Sequence, residues 1–169
     1  MPIYNYGLKS LKRGDFNPTT GEITNLVEVQ VYRDTMNINE TAPTKTKHYR
    51  AGKTSPVKIA LQGGSEIASF QVLDTSVATM ALLLGGTVTT VNSRSRWSKA
   101  KGTPSEKIAA LVAETLDGSI YTITRGSWTA QKLFDLAEGK IAVFGVEVEA
   151  TDTRIDTVSD VTWDDPAVV

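Results

Sequence analysis

Few residues in this chain have the types and spacing that chemistry needs. Gly52-Lys53-Thr54 matches the end of a phosphate-binding loop, in which backbone N–H groups cradle phosphates and the lysine reaches them. That pattern needs a glycine five residues before Gly52, where this chain has Lys47, and a following helix, which Pro56 opposes. His48 is the only histidine and cysteine is absent, so neither the usual zinc cluster nor a thiol nucleophile is available. A Ser-His-Asp triad would have to draw His48 from a polar stretch beside Lys47 and Arg50, and no nucleophile-elbow sequence is present. An exposed structural histidine is the expectation. Asp152, Asp156 and Asp160 recur every four residues, whereas a calcium loop needs closer carboxylates, a central glycine and a terminal glutamate. They read as a solvated acidic arm. Arg94, Arg96, Lys99 and Lys101 surround Trp97, and phosphate contacts plus aromatic stacking are what grip single-stranded nucleic acid. The net charge of −1 weighs against that use and favours a solvated or subunit-facing loop. The expectation is therefore a protein without catalytic residues, metal or cofactor.

The charge is divided unevenly along the 169 residues. Met1 to Lys101 holds thirteen basic and seven acidic residues, a balance of +6, and Gly102 to Val169 holds five basic and twelve acidic, a balance of −7. Such polarity suits head-to-tail contact between identical copies, in which a basic face meets an acidic one. With 40% hydrophobic and 22% charged residues, the composition is that of a folded domain. No apolar run approaches the ~18 residues that span a bilayer, and Met1 to Tyr6 lacks the basic-then-apolar pattern of a signal peptide.

The elements that would position these residues are mostly strands. Leu8 to Phe16 reads as a first strand, followed by the turn Asn17-Pro18-Thr19-Thr20-Gly21. Leu26 to Tyr32 alternates, with Val27, Val29 and Val31 expected on one face. From Arg33 to Pro56 the chain is polar, with Met36, Ile38, Ala42 and Tyr49 as its sparse apolar residues, and reads as a protruding hairpin or arm. Strands are expected at Val57 to Leu61 and Ile67 to Leu73. Asp74 is the expected N-cap of a short helix that Gly85 ends, with apolar residues on every side from Val77 to Leu84. Such a helix must be buried, either centrally or between subunits. Val91 to Thr103 is expected to be a polar loop. Thr103-Pro104-Ser105-Glu106 resembles a helix start, but Asp117-Gly118 is a hairpin turn leading into the alternating Ser119 to Thr124. A two-residue turn needs a strand on both sides, so Lys107 to Leu116 is read as a strand with helix as the alternative. Ala130 to Glu138 has helical spacing at Ala130, Leu133, Phe134 and Ala137, and Gly139 follows it. Ile141 to Ala150 is a strand with Phe144, Val146 and Val148 on one face and Glu147 and Glu149 on the other.

Several of these features together resemble the major tail tube proteins of long-tailed bacteriophages. They are the strand ending at Asp74 with its Ala/Leu helix and Gly85-Gly86-Thr87-Val88-Thr89, the Asp117-Gly118 hairpin with Tyr121-Thr122-Ile123, and Leu133 to Gly139 leading into Val143 to Glu149. The resemblance covers roughly Leu26 to Ala150. It implies a mainly β fold: an antiparallel β-sandwich or barrel with one or two short flanking helices and an extended arm or hairpin. The tail-tube-like domain would span 1–151, with the arm at 33–56, and an acidic C-terminal arm would follow at 152–169. The resemblance also implies a structural, non-enzymatic role. Copies would join their sheets into rings, usually hexameric, stacked into a tube of the virion tail made in the host bacterial cytoplasm. Tape measure and tail completion proteins would be partners, and DNA would pass through the lumen without specific binding. No membrane insertion is expected. Contractile tails and type VI secretion tubes share this fold. On this reading the assembly residues are Met36, Ile38, Lys45, Lys47, Arg50 and Lys53 in the arm and Leu82 and Leu83 in the helix, while Glu147 and Glu149 face the lumen. The rival is a β-sandwich module that binds carbohydrate or a receptor. Its usual aromatic platform is opposed by the dispersal of Trp97, Trp128 and Trp163 along the chain.

Overall fold

The computed structural model describes residues 7–101 and 106–166. Among them the chain forms twelve strands and one helix, in the order β1 (Leu8–Phe16), β2 (Ile23–Glu28), β3 (Asn37–Glu40), β4 (Thr44–Tyr49), β5 (Pro56–Gln62), β6 (Glu66–Val72), α1 (Val77–Leu84), β7 (Thr87–Val91), β8 (Arg94–Ser98), β9 (Lys107–Thr115), β10 (Ile120–Leu133), β11 (Val143–Ala150) and β12 (Val161–Asp164). All named strand pairs are antiparallel, and the fold is mainly β. Eight strands share one sheet in the order β2-β1-β9-β10-β11-β6-β3, with β12 on β10. The hairpins β4–β5 and β7–β8 stand apart as two-stranded sheets.

The eight-stranded sheet curls until its hydrogen bonds run full circle. The segment after β2 makes the closure. The Val29 N–H donates to the Leu11 carbonyl of β1, and the Tyr32 N–H donates to the Gln71 carbonyl of β6, with Leu73 N–H returning to Gln30. This closure buries alternate residues of β1, β6, β9, β10 and β11 on the inside. Leu11, Ala68, Phe70, Val72, Leu111, Ile123, Trp128, Phe144 and Val148 form the core. Phe70 meets Trp128 edge-on with ring centroids 5.8 Å apart, an arrangement the ring quadrupoles favour. The indole N–H of Trp128 donates to the Ala109 carbonyl at 3.0 Å, so its one polar atom is satisfied inside.

The longest strand, β10, changes partner along its length. Ile123 pairs with Leu111 and Gly126 with Ala109, so β10 holds one residue more than β9 between those pairs. That bulge at Thr124-Arg125 bends the strand. Before it β10 pairs with β12, and after it with β11. The C-terminal segment fills the step. Thr124 N–H donates to the Asp160 carbonyl and Thr151 N–H to the Arg125 carbonyl, while the Thr124 hydroxyl donates to the Ser159 carbonyl. The acidic stretch is thus fastened to the sheet through Asp164 rather than hanging free as an arm.

Other expectations are met or corrected at particular residues. β1, the Asn17–Gly21 turn, β5, β6, β9 and the Asp117-Gly118 turn lie where the sequence places them. That last turn is a three-residue loop, closed by Thr115 N–H to the Ser119 carbonyl, with Gly118 at φ +90°. The strand expected at Leu26 to Tyr32 is displaced. β2 ends at Glu28, Val27 is exposed and Val29 is buried. The loop expected from Val91 to Thr103 contains β8, paired residue by residue with β7. No helix forms at Ala130 to Glu138. β10 runs on to Leu133 because β11 offers it a ladder from Ala130–Val146 to Leu133–Val143. An isolated nine-residue helix is marginal in water, and the ladder wins. Thr103, Pro104 and Ser105 of the helix-like start lie outside the described residues.

The N-cap of α1 is Ser76, not Asp74. Ser76 Oγ accepts from the Thr79 N–H, while the Asp74 carboxylate accepts from the Ser76 N–H and from the hydroxyls of Ser76 and Thr79. Gly85 closes the helix at φ +73° with its N–H on the Ala81 carbonyl, as expected.

Two predictions follow from these contacts. A Cβ at Gly126 would come within 2.5 Å of Val148 Cγ1 and 3.2 Å of the Ala109 carbonyl oxygen. Gly126→Ala should therefore lower stability by about 1–3 kcal/mol in urea unfolding, the usual cost of overpacking a core. The Asp74 carboxyl is held below the usual range, first by the Thr79 hydroxyl and then by the Ser76 N–H. Because folding lowers this pKa, its stabilisation is present above the unfolded value of about 3.9 and is lost as pH falls through the folded value. Asp74→Asn should thus cost more stability at pH 6 than at pH 3, and equal losses at both pH values would contradict this assignment.

Candidate functional site

The expected lumen residues lie on one continuous polar surface. On the outer face of the sheet, cross-strand register aligns Gln131, Gly145 and Gln71 in one row. Thr129, Glu147, Ser69 and Asn37 form the next, and Ser127, Glu149, Ile67 and Asn39 the third. Glu147 and Glu149 are exposed there, as expected. None of these eleven positions carries a lysine or arginine. The surface is a shallow open groove over Gly145 and Ser69. Glycine at 145 keeps the row low, since a Cβ there would sit 3.0 Å from Leu133 Cδ1.

The expected arm divides in two. Its first part, β3, is the edge strand of the main sheet on β6, which carries Ile38 and leaves Met36 just before it. Both are half-buried against the core and line a pocket of mixed polar and apolar lining at one end of the barrel. Its second part is the β4–β5 hairpin, which extends past the expected boundary to Gln62. Lys45 pairs with Leu61 and Lys47 with Ile59, so these lysines share a face with aliphatic partners. Arg50 and Lys53 are at the tip, where the Lys53 N–H donates to the Arg50 carbonyl. His48 is exposed on β4. Gly52-Lys53-Thr54 forms that turn with Gly52 at φ +75°, and a strand follows it, so no phosphate-loop helix exists here.

Leu82 and Leu83 separate. Leu83 is 5% exposed and belongs to the core, so it is no subunit-facing residue. Met80 and Leu84 pack beside it, which is the i, i+3, i+4 stripe of a one-sided helix. Ala78 is exposed, and Val77, Ala81 and Leu82 are only half-buried. The opposite side of α1 is therefore apolar and incompletely covered.

Arg94, Arg96, Lys99 and Lys101 are exposed on and just after β8. Trp97 donates its indole N–H to the Gly85 carbonyl at 2.7 Å, and Lys132 Nζ lies 4.0 Å from the centre of its ring. The ring that a nucleic-acid base would need is already engaged. Asp152 caps the Arg154 N–H and Asp160 accepts from the Thr153 N–H. Among the described residues no group of His, Asp and Glu is placed to hold a metal ion, and no helix is long and apolar enough to cross a membrane.

The exposed apolar side chains of β5 are what the sequence reading missed. Val57 to Leu61 alternates like any half-buried strand, and only the structure shows that no core stands beneath it. The helix offers a direct test of the two leucines. Leu83→Asp buries an unpaired charge at a cost of several kcal/mol and should give insoluble protein, whereas Leu82→Asp should give soluble, cooperatively folding protein by circular dichroism. Soluble, stable Leu83→Asp would refute the packing described. No family model and no curated protein matches the sequence of this chain.

Proposed function

We propose that this chain is a structural subunit of a bacteriophage tail tube. Copies assemble into rings, with hexamers expected, and the rings stack into the conduit through which the genome leaves the virion. The observation that carries the reading is the sheet face of β10, β11, β6 and β3. It is broad and polar, it holds Glu147 and Glu149, and it lacks lysine and arginine at all eleven aligned positions. A conduit for DNA requires such a wall, because basic side chains would hold phosphates and stall passage. The projecting basic hairpin and the incompletely covered side of α1 supply apolar and charged surface for contacts between copies. Tape measure and tail completion proteins would meet this tube, and no step of its work requires a reaction. A carbohydrate- or receptor-binding module is less well supported. Trp128 is buried and Trp97 is engaged by Gly85 and Lys132, which leaves Trp163, exposed beside Tyr121, as a single exposed indole rather than a row of them.

Negative-stain microscopy of the purified protein tests the reading, with rings or tubes expected. Dispersed particles of single-chain size at every concentration and salt condition would overturn it. The wall makes a second prediction. Glu147→Lys/Glu149→Lys should change fold stability little, since exposed substitutions stay within about 0.5 kcal/mol each. Tubes of that variant should retain duplex DNA in co-sedimentation at low salt, where tubes of the unaltered protein do not.

A further inference from the structure

The β4–β5 hairpin carries an apolar stripe that its own chain leaves bare. Val57, Ile59 and Leu61 alternate along β5 and so share one face. They are 66%, 51% and 67% exposed, and none belongs to the core cluster. A two-stranded hairpin is marginal in water unless something packs on it. At one end of the barrel lies the converse feature, a pocket of about 700 Å³ with a mixed lining whose apolar and aromatic part includes Leu8, Met36, Ile38, Leu116, Tyr121 and Trp163. Leu116 and Trp163 are 59% and 44% exposed at its mouth.

We propose that the hairpin of one copy seats Val57, Ile59 and Leu61 in the barrel-end pocket of a second copy. This deepens the assembly reading above and rests on its premise of self-association. Charge selects the occupant. Residues 41–62 contain Lys45, Lys47, Arg50, Lys53 and Lys58 and no acidic residue. Two hairpins laid face to face would oppose Lys45 and Lys47 to their own copies, which disfavours symmetric pairing. The pocket has the other sign nearby. Glu28 lines it, Asp117 follows Leu116, and Asp164 and Asp165 follow Trp163. The two cations of its lining are paired, Lys9 with Glu114 at 2.6 Å and Arg33 with Asp34 at 3.4 Å. The two surfaces are different patches of one molecule, so the contact is either exchanged reciprocally within a pair or runs head to tail into a ring or filament. The tube reading takes the second, which a covalent ladder longer than a dimer distinguishes.

The absence of cysteine makes this directly testable, because introduced thiols are the only ones present. Ile59→Cys, Met36→Cys and Leu116→Cys are prepared singly, together with Ile59→Cys/Met36→Cys and Ile59→Cys/Leu116→Cys, and folding is checked by circular dichroism. Under mild oxidation, Ile59→Cys mixed with Met36→Cys or with Leu116→Cys should give a disulfide dimer in about tenfold excess over any single variant alone, since the bond forms only where Cβ atoms meet. The double variants should give a ladder of covalent oligomers. Adding Lys45→Glu/Lys47→Glu to the Ile59→Cys chain should reduce the mixed dimer several-fold. Absence of a mixed dimer with both pocket variants overturns the proposal, as does Ile59→Cys alone cross-linking as efficiently as the mixtures. Tubes seen by microscopy without any mixed dimer would sink this docking and leave the tube reading standing. A mixed dimer without rings or tubes would sink the tube reading and leave this docking standing.

Discussion

The bulge at Thr124-Arg125 in β10 is the constraint on which the other strands depend. One extra residue against β9 rotates the strand, so that the same edge of β10 pairs first with β12 and then with β11. Without it the sheet has no place for both partners. The step leaves backbone groups of Thr124 and Arg125 unpaired by strands, and the C-terminal segment supplies their partners at Asp160 and Thr151. Gly126 then carries no side chain because Val148 and the Ala109 carbonyl occupy that space. Two residues on, Trp128 enters the core and reaches the same Ala109 carbonyl with its indole N–H. The bend, the small residue and the large one form a single arrangement, and the curl that lets Val29–Tyr32 close the barrel follows from it.

Closing one sheet on itself uses up its inner face. The core takes one set of alternate residues from β1, β6, β9, β10 and β11, and a single helix packs on it through Met80, Leu83 and Leu84. Nothing is left to cover the hairpin that leaves the sheet after β3. Its apolar stripe and the incompletely covered side of α1 are therefore consequences of topology and not accidents of composition. Chains that expose such surfaces associate or aggregate unless charge directs the association. Here the hairpin has five cations and no anion, which keeps identical hairpins apart.

Local patterns made much of this fold legible. β1, its turn, β5, β6, β9 and the face of β11 were readable because strong alternation or turn residues agree with the final pairing. The Asp117-Gly118 turn settled β9 as a strand against helical spacing at Ile108, Leu111 and Val112. The same helical spacing misled at Ala130 to Glu138. Ala130, Leu133, Phe134 and Ala137 fit a helix face, yet the ladder from β11 decides the backbone, and of the four Ala130 and Phe134 pack on the core, the latter against Phe144 at 5.2 Å. The cap of α1 was misplaced by two residues because Asp74 braces Ser76 and Thr79 instead of capping the helix. Of the candidate site, the polar face of β11 and the basic arm could be read from sequence. The barrel-end pocket could not, since it joins residues near positions 8, 36, 116 and 163 that only the closed sheet brings together.

The distribution of surfaces bears on which assembly can cover them. A two-fold dimer that sets one patch against its own copy leaves every other patch as it was. This chain presents a basic apolar hairpin, an acid-flanked pocket and an incompletely covered helix side as three separate surfaces, together with a polar wall free of cations. A two-fold contact through the hairpin meets like charge, and one through the pocket leaves the hairpin bare. Both are covered at once in the proposed docking, where each copy gives its hairpin to one neighbour and receives the hairpin of another. Repetition of that exchange places every copy in an equivalent environment. It also leaves most of the wall of β10, β11, β6 and β3 uncovered, because Asn37 alone of its eleven positions lines the pocket. A surface that assembly spares and that carries carboxylates, amides and hydroxyls but no cations is suited to line a passage for a polyanion.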